Sequence, residues 1–371
     1  MTSSPDLTRA STYDYHLPPE LVARYPAERR DGSRLLVVPS EPGAGAGRTL
    51  EHRSFPDLLD YLAPGDLLVL NESRVLPVRL LGHKPTGAAC EVFLLRPVGG
   101  PDGTGEDLLR WEALVRPGSK LKPGRRVVVA AGELEVVIED ALPDGGRIVR
   151  LETPLGADAA LERYGRIPLP PYLERDEEPE DRERYQTVFA RVPGSVAAPT
   201  AGLHFTPELL ARISGAGVKV TRVTLHVGPG TFRPVEADRV EDHVMHAERW
   251  EVPPEAADAV ARTQARGGRV WAVGTTVVRT LESAAATDGT IPAGSGETRL
   301  FLHPGVPIRV VDGLVTNFHL PRSTLLMLVA AMAGYERTME AYAQAVAEAY
   351  RFYSYGDAML ILPRNDKGGA L

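Results

Sequence analysis

The pattern of apolar and polar positions along the chain predicts a strand–helix alternation in two separated regions. Near the N-terminus, and again from about residue 185 onward, short apolar runs alternate with segments whose apolar residues recur at helical spacing. Such alternation is typical of a largely parallel sheet covered by helices. The main strand candidates are the runs SRLLVVP, DLLVLN, KVTRVTLHVG, RVWAVG, LVTNFHLP and AMLILP.

The pattern changes between residues 74 and 161. Six short strand-like runs follow one another there, divided by turns rich in Gly and Pro, and no long helical pattern interrupts them. This arrangement predicts a small antiparallel β-barrel. We therefore expect a mostly parallel, layered α/β domain formed by residues 1–73 and 162–371, with a β-barrel domain of residues 74–161 inserted into it.

The stretch GSVAAPTAGLHFTPELL, residues 194–210, joins a run of small side chains to the start of a helix. Thr206 is a good N-cap residue and Pro207 suits the first helical position, so we expect a helix over 207–214 that ends at Gly215. The small residues before the helix allow the backbone to come close to another surface. That surface is either neighbouring chain or a ligand.

The composition restricts the function classes that fit the chain. The protein has 371 residues, 43% hydrophobic and 25% charged, which indicates a folded globular protein. Its net charge of −7 argues against holding nucleic acid by bulk electrostatics, so such contacts would need a local basic patch. The single cysteine, Cys90, excludes an internal disulfide and a multi-cysteine zinc site.

The apolar segments do not predict membrane insertion. No basic segment followed by an apolar one marks the N-terminus as a signal peptide. The longest strongly apolar run, TLLMLVAAMAG at 324–334, is too short to span a bilayer and indicates a buried helix. We expect a cytoplasmic protein without membrane partners, and no heptad pattern suggests a state other than a monomer.

Several predicted strands end in polar or glycine-rich turns. Ligands of open α/β sheets bind outside the carboxyl ends of the strands, which makes these turns candidate binding elements. In the VGTT turn, Gly274 allows a tight bend, and the free N–H groups of the helix opened by Thr275 and Thr276 suit a carboxylate or a phosphate. Taken alone, an ordinary strand–helix connection with a threonine cap explains this turn better. No G-x-G-x-x-G supports a dinucleotide site.

Histidines mark the same predicted edge of the sheet. His204, His226 and His319 each lie at or near a predicted strand end or loop, and their convergence favours a site. His243 and His246 are three residues apart, which is metal-ligand spacing on a helix. Because there is no H-E-x-x-H motif and no cysteine partner, a polar surface turn or a substrate-facing pair fits them better.

Two basic segments are candidate contacts for a nucleic acid. One lies in ARYPAERRDGSRLL and the other is KLKPGRR at 120–126 on the predicted barrel. Such clusters are commonly salt-bridged surface, but with an RNA substrate they would contact phosphates. The candidate tRNA-binding residues are Arg24, Arg30, Arg34, Lys122, Arg125 and Arg126.

The motifs, taken in order, resemble those of one enzyme family. The chain is similar to the S-adenosylmethionine:tRNA ribosyltransferase-isomerases of queuosine biosynthesis in AAPTAGLHF, VTLHVGPGTF, EDHVMHAE, AVGTTVVRTLES, VTNFHLPRSTLLMLV and YRFYSYGDAML. ARYPAERRDGSRLL, PGDLLVLNESRVLPVRL, IPLPPYL and YQTVFA match the same family outside this core. The resemblance covers nearly the whole chain and is thinnest in the predicted barrel.

The resemblance implies an unusual reaction. S-adenosylmethionine would serve as a ribosyl donor, and its ribose would move to the aminomethyl group of 7-aminomethyl-7-deazaguanine (preQ1) at the wobble position of a tRNA. The sugar would rearrange to an epoxycyclopentanediol while adenine and methionine leave, giving epoxyqueuosine-tRNA. S-adenosylmethionine would be a co-substrate, and no metal or other cofactor would be needed.

This chemistry assigns roles to the candidate residues. A base is needed for the carbon next to the sulfonium and for the amine, an acid for the departing adenine, and an anion site for the methionine carboxylate. We expect His204 and His226 to be the catalytic bases, and the Gly274–Thr275–Thr276 turn with Arg279 to bind the carboxylate. The other candidate substrate-binding residues are Ala198, Pro199, Thr200, Gly202, Phe205, Gly228, Gly230 and Phe232 for the nucleoside, and Asn317, His319, Tyr355 and Asp357 for the sugar hydroxyls or the deazaguanine.

Three other interpretations of the function stay open at this point. A methyltransferase would also use S-adenosylmethionine, but the glycine-rich first strand–turn expected there is missing. A non-catalytic tRNA-binding module would need only basic surface and aromatic residues, and would leave the histidines and the VGTT turn unexplained. A related enzyme acting on another RNA is the third.

Overall fold

A nine-stranded sheet and a closed six-stranded barrel make up most of the regular structure. The computed structural model describes residues 5–40, 49–98, 109–143, 145–228, 235 and 237–363. Gly230 and Phe232, both predicted to bind substrate, lie outside these ranges. The predicted fold class, an α/β structure with an antiparallel barrel, is confirmed.

The strands and α-helices are as follows in chain order. The strands are β1 (Arg34–Val38), β2 (Glu51–Ser54), β3 (Leu67–Asn71), β4 (Ser73–Val75), β5 (Arg79–His83), β6 (Ala89–Pro97), β7 (Arg110–Arg116), β8 (Arg126–Val129), β9 (Leu134–Ala141), β10 (Arg147–Glu152), β11 (Val192–Ser195), β12 (Lys219–Leu225), β13 (Glu248–Val252), β14 (Val270–Val273), β15 (Gly294–Thr298), β16 (Gly313–Asn317) and β17 (Ala358–Ile361). The helices are α1 (Ala157–Tyr164), α2 (Asp181–Arg184), α3 (Pro207–Gly215), α4 (Pro254–Ala265), α5 (Thr275–Ala284), α6 (Thr324–Ala333) and α7 (Tyr335–Ala347).

The large sheet is mixed, and its centre is parallel. Its strand order is β15-β13-β12-β3-β14-β16-β17-β1-β2, and the four neighbours β12, β3, β14 and β16 are parallel. β17 runs antiparallel to β16 and parallel to β1, while β13, β15 and β2 pair antiparallel at the two sides. The carboxyl ends of the central strands therefore meet the starts of β1 and β17 at one edge.

The sheet is covered on both faces, which explains its continuous apolar strands. In β3, Leu67 and Val69 face a core shared with residues of α4, α5 and α6, whereas Leu68 and Leu70 face a second core that contains residues of α3. All four side chains are fully buried. Alternate residues of one strand thus fill two separate cores.

Two helix starts follow from their sequence. The hydroxyl of Thr206 accepts a hydrogen bond from the Leu209 N–H (3.1 Å) at the start of α3, which confirms the predicted cap. Ser323 caps α6 in the same way through the Leu326 N–H (3.2 Å), and α6 is almost entirely buried, as predicted for TLLMLVAAMAG. No helix within the described ranges is long and apolar enough to cross a membrane.

The six strands predicted between residues 74 and 161 are all present and close into a barrel. Its strand order is β10-β7-β6-β5-β8-β9, and every neighbouring pair is antiparallel. The barrel has its own core, in which Cys90 is buried among Leu, Val, Ile and Trp side chains. The division of the chain into domains at residues 74 and 161 stays a prediction.

Candidate active site

An open cleft lies at the carboxyl edge of the central parallel strands. Val227 follows β12, Gly274 follows β14, and Asn317 ends β16, and all three line this cleft. Eight of the predicted substrate-binding residues line it as well, namely Ala198, Pro199, Thr200, Gly274, Thr275, Thr276, Asn317 and His319. This position is the one at which open α/β sheets bind ligands.

Ser195 joins two walls of the cleft. Its buried hydroxyl donates to the carbonyl of Ala197 (2.7 Å) and accepts from the N–H of Val227 (3.0 Å). The N–H of Val196 donates to the carbonyl of Val227 (3.0 Å). The run of small residues is therefore fixed against the segment that follows β12.

The start of α5 forms another part of the cleft. Gly274 has φ = 92°, a left-handed conformation that other residues rarely adopt, and its N–H donates to the Val315 carbonyl (2.8 Å). The first N–H groups of α5 have no partner within the helix. The Thr276 hydroxyl oxygen is buried and has no hydrogen-bond partner among the described residues. These groups can together bind an anion such as a carboxylate.

Arg279 does not line the cleft but lies one helical turn further along α5. Its guanidinium donates to the carboxylate of Glu248 and, through Nε, to the Leu300 carbonyl (3.1 Å). The other carboxylate oxygen of Glu248 accepts from the N–H of Gly228 (3.0 Å). Through Glu248, Arg279 is therefore connected to the segment that follows His226, and its predicted contact with the methionine carboxylate stays a prediction.

His226 lies between the end of β12 and the cleft-lining Val227. Its backbone N–H donates to the Arg249 carbonyl (2.9 Å), and its ring lies so close to Gly194 that an added Cβ would be 2.9 Å from Nδ1. Nδ1 is buried and has no partner among the described residues. Burial, with a smaller contribution from the charge of Arg249, lowers the pKa of His226 to about 4.

Both ring nitrogens of His204 are hydrogen-bonded inside the protein. Nδ1 lies 2.9 Å from the Ser33 hydroxyl, and Nε2 lies 3.0 Å from the side-chain nitrogen of Asn317. The ring packs at 4.9 Å from the ring of Phe55. Burial lowers the pKa of His204 to about 4. His204 thus contacts a residue of the cleft, Asn317, from behind.

His319 lines the cleft itself. Its Nε2 lies 2.8 Å from the Thr316 hydroxyl, and its backbone N–H donates to the Tyr342 hydroxyl (2.9 Å). Burial lowers the pKa of His319 to about 3, so its ring is neutral at physiological pH. Of the three histidines predicted to converge at this edge of the sheet, His319 lines the cleft, His204 contacts Asn317 in its wall, and His226 precedes the cleft-lining Val227 without lining the cleft itself.

Besides Arg279 and Gly228, four further predicted substrate-binding residues are not among those that line the cleft. Gly202 is small because a Cβ would come within 2.7 Å of Thr187 and 2.8 Å of the Phe189 ring, so neighbouring chain occupies that space. Phe205 is fully buried in the core. The other two take part in buried polar pairs: Tyr355 donates to Asp181 (2.8 Å), and Asp357 accepts from Arg34 and from the Arg351 N–H.

Most of the predicted tRNA-binding arginines have partners within the protein. Arg24 pairs with Glu174 (2.6 Å), Arg30 donates to the Gln186 carbonyl (2.9 Å), and Arg126 pairs with Glu135 (2.8 Å). Arg34 pairs with Asp357 (3.1 Å), donates to the carbonyls of Glu348 and Ala349, and lies over the Tyr350 ring. Lys122 and Arg125 are exposed and have no ion-pair partner among the described residues.

Several residues that shape the cleft are not predicted from the sequence. Tyr172 and Tyr353 both line it with ring centroids 4.6 Å apart, and the hydroxyl of Tyr172 bonds to that of Ser354. Ser33 and Ser195 position its walls from behind. These four residues lie in segments that the sequence singles out, namely IPLPPYL, YRFYSYGDAML, RDGSRLL and GSVAAP. Within each segment, however, no local pattern distinguishes the residue that shapes the cleft from its neighbours.

The pair His243 and His246 does not form a helical metal site. The turn Val240–Asp242 precedes them, and the ring of His243 packs against the Phe301 ring at 5.5 Å. Within the described parts of the chain, no group of three His, Cys, Asp or Glu side chains is arranged to hold a metal ion.

The site is found in a chain with extensive similarity to known proteins. A protein from Anaeromyxobacter sp. (strain Fw109-5), named S-adenosylmethionine:tRNA ribosyltransferase-isomerase, is 55% identical, and the alignment covers 95% of this chain and 99% of that protein. A protein of the same name from Moorella thermoacetica is 52% identical over 95% of this chain and all of its own length.

The fold has a counterpart among solved structures. A crystal structure of an S-adenosylmethionine tRNA ribosyltransferase from Thermotoga maritima has a TM-score of 0.52 and 38% identity, and covers 94% of this chain and 99% of its own. Residues 10–361 match the sequence profile of the family described as "Queuosine biosynthesis protein". The chain therefore belongs to the queuosine biosynthesis protein family.

Proposed function

We propose that the cleft is the site at which the ribose of S-adenosylmethionine is transferred to a preQ1 base at the wobble position of a tRNA and isomerised. The product is epoxyqueuosine-tRNA, with adenine and methionine released. The family and the names of the relatives support an S-adenosylmethionine-dependent transferase-isomerase acting on tRNA. The observation that carries the assignment to this cleft is the meeting there of the α5 N-terminus, His319, and the Thr200–Asn317 pair.

The methionine carboxylate binds at the start of α5. This proposal is supported by the N–H groups of the first turn, the bend at Gly274, and the buried, unpartnered hydroxyl oxygen of Thr276. Arg279 supports the turn indirectly, since its guanidinium is paired with Glu248.

The nucleoside lies along the small residues of the opposite wall. Ala197 and Ala198 expose little side chain there, and Tyr172 and Tyr353 add two aromatic rings. An adenine ring packs well against such a surface because aromatic faces stack. Phe205, which was predicted to lie beside the nucleoside, is buried in the core, so these two tyrosines take that role in the proposal.

Of the two candidate bases we favour His226, because it directly precedes the cleft-lining Val227 and has a ring nitrogen without a partner among the described residues. A sulfonium acidifies the neighbouring C5′ hydrogen, so a neutral imidazole can remove that proton. Loss of adenine leaves C1′ as an aldehyde; the sulfonium ylide carbon adds to this carbonyl, and the alkoxide formed displaces methionine from the same carbon as the epoxide closes. The lowered pKa keeps His226 unprotonated at neutral pH, and its Nδ1 has no partner among the described residues. His204 has the same low pKa, but both of its nitrogens are engaged.

The acceptor tRNA contacts the barrel. Lys122 and Arg125, which are exposed and unpaired within the described residues, are our candidates for phosphate contacts. The protein as a whole is acidic, so such local contacts have to supply the attraction.

Adenine release from S-adenosylmethionine tests this function. We expect release with tRNA that carries preQ1 and none with the same tRNA lacking it, measured by chromatography of the reaction. Transfer of a methyl group to RNA would instead favour a methyltransferase. Binding of tRNA without any release from S-adenosylmethionine would favour a non-catalytic tRNA-binding module and refute the proposal.

A further inference from the structure

A chain of hydrogen bonds runs from the cleft into the protein through four side chains. The Thr200 hydroxyl lies 2.9 Å from Oδ1 of Asn317, and Nδ2 of Asn317 lies 3.0 Å from Nε2 of His204. Nδ1 of His204 lies 2.9 Å from the Ser33 hydroxyl. Thr200 lines the cleft and is half-buried, whereas Asn317, His204 and Ser33 are 2%, 4% and 6% exposed.

The direction of each bond follows from the chemistry of the amide in the middle. Nδ2 of Asn317 can only donate, so Nε2 of His204 has to be the unprotonated, accepting nitrogen. A neutral His204 then carries its proton on Nδ1, and this N–H donates a hydrogen bond to the Ser33 hydroxyl oxygen. At the other end Oδ1 of Asn317 can only accept, so the Thr200 hydroxyl donates its proton inward.

His204 cannot easily take a second proton in this setting. An imidazolium would present an N–H to the amide N–H of Asn317, and the two donors would repel each other at 3.0 Å. The ring is also covered by Phe55 and removed from water, and burial lowers its pKa to about 4. The donor and acceptor roles along this row of hydrogen bonds are thus fixed at neutral pH.

We propose that His204 is a positioning residue that acts through Asn317 to hold the Thr200 hydroxyl as a hydrogen-bond acceptor toward the cleft. With its proton directed inward, Thr200 presents only lone pairs to a ligand. The group it receives is a hydrogen-bond donor of the substrate, a ribose hydroxyl or an amino group. The identity of that substrate rests on the function proposed above, but the proton positions of the ligand-free protein do not.

Nitrogen NMR of the full chain with ¹⁵N-labelled histidine measures the proton positions directly. His204→Gln identifies the His204 signals by their loss. We expect the neutral tautomer with the proton on Nδ1 at pH 7. A proton on Nε2, or a protonated ring, would overturn the proposal, and neither result depends on enzymatic activity.

Asn317→Asp supplies a second spectroscopic test. An aspartate at this position offers only acceptors, so His204 has to place a proton on Nε2 to keep the contact. We expect the His204 signals to change to the Nε2-protonated or doubly protonated form. Unchanged signals in a folded variant would show that residue 317 does not set the state of His204.

Conservative replacements separate a positioning role from a base role. The amide oxygen of His204→Gln can accept from Asn317, but glutamine cannot take up a proton, so we expect turnover within about tenfold of the wild type. His204→Leu removes the acceptor and should lose at least a further tenfold. Equal, complete loss in both folded variants would favour the base role and refute the proposal.

The last arm of the experiment tests Thr200. Thr200→Val should raise the KM for S-adenosylmethionine or for tRNA, or lower kcat, by about tenfold, since one hydrogen bond to the ligand is lost. Thr200→Ser should restore most of that loss. Thr187→Val is the control, because Thr187 is buried and its hydroxyl has no partner among the described residues. An unaffected Thr200→Val enzyme would contradict the proposal, whereas a wild type without adenine release would refute only the proposed function.

Discussion

The guanidinium of Arg279 and the carboxylate of Glu248 form a buried ion pair, with both side chains about 5% exposed. The two residues come from different motifs of the sequence, one on α5 and one at the start of β13. Glu248 also accepts from the N–H of Gly228. The pair therefore connects the helix that opens at the cleft with the segment that follows His226.

Breaking this pair should destabilise the protein strongly. Glu248→Ala leaves the Arg279 charge buried without its partner, which typically costs about 3–5 kcal/mol. Denaturant unfolding measures the change in the free energy of unfolding. Asp258→Ala is the matched control, because its pair with Arg262 is exposed and worth at most about 0.5 kcal/mol. A Glu248→Ala variant as stable as the control would contradict the account of this site.

Stability should fall as the pH is lowered from about 6.5 to about 4. His204 has a pKa of about 4 in the folded protein against 6.5 when unfolded, so the unfolded state binds more protons in this interval and is favoured by acid. The contribution of His204 alone reaches roughly 3 kcal/mol at the lower end. Unfolding curves at several pH values should show a shallower pH dependence for His204→Gln. An identical slope in wild type and variant would show that His204 does not titrate as the structure implies.

The start of α5 should discriminate between ligands by their carboxylate. Thr276→Val removes a buried hydroxyl next to the first N–H groups of the helix, and we expect weaker binding of S-adenosylmethionine by about tenfold. Decarboxylated S-adenosylmethionine lacks the group in question, so its weaker affinity should not change in the variant. Calorimetric titration compares the two ligands, and an equal loss for both would place the carboxylate elsewhere.

The basic residues should separate into two groups by their effect on tRNA. Lys122→Ala and Arg125→Ala should each weaken tRNA binding and reduce its dependence on salt by about one unit of the logarithmic slope. Arg34→Ala should instead lower stability, because Arg34 holds Asp357 and the carbonyls of Glu348 and Ala349. Binding curves at several salt concentrations measure the tRNA affinity and its salt dependence. Full affinity in the double variant Lys122→Ala, Arg125→Ala would show that the barrel segment 120–126 does not contact tRNA.

Local patterns predicted much of the fold. The cap at Thr206 and the period of the barrel strands are short-range signals, and both give the observed elements. The mixed pairing of the large sheet could not be predicted in the same way, because the direction of β17 depends on which strands become its neighbours. Such neighbours are chosen by tertiary packing and not by the strand's own residues.

The candidate site could be placed but not resolved from the sequence. Strand ends and helix starts indicated the cleft at Gly274 and Asn317, and both line it. The partners of each side chain depend on contacts between distant segments: His204 meets Ser33 across 171 positions, and Arg279 meets Glu248 across 31. The sequence left open whether the small residues face a ligand or neighbouring chain; at Gly202 the structure shows neighbouring side chains.

The most direct test of the account concerns His226. We predict that His226→Gln abolishes adenine release with preQ1-containing tRNA, while its circular dichroism spectrum and tRNA affinity match those of the wild type, because the ring supplies the lone pair for proton removal. Arg249→Gln, which keeps the backbone contact to His226, is the companion variant and should remain active. Release at the wild-type rate by His226→Gln would contradict the assignment of the base and, with it, the chemistry proposed for this cleft.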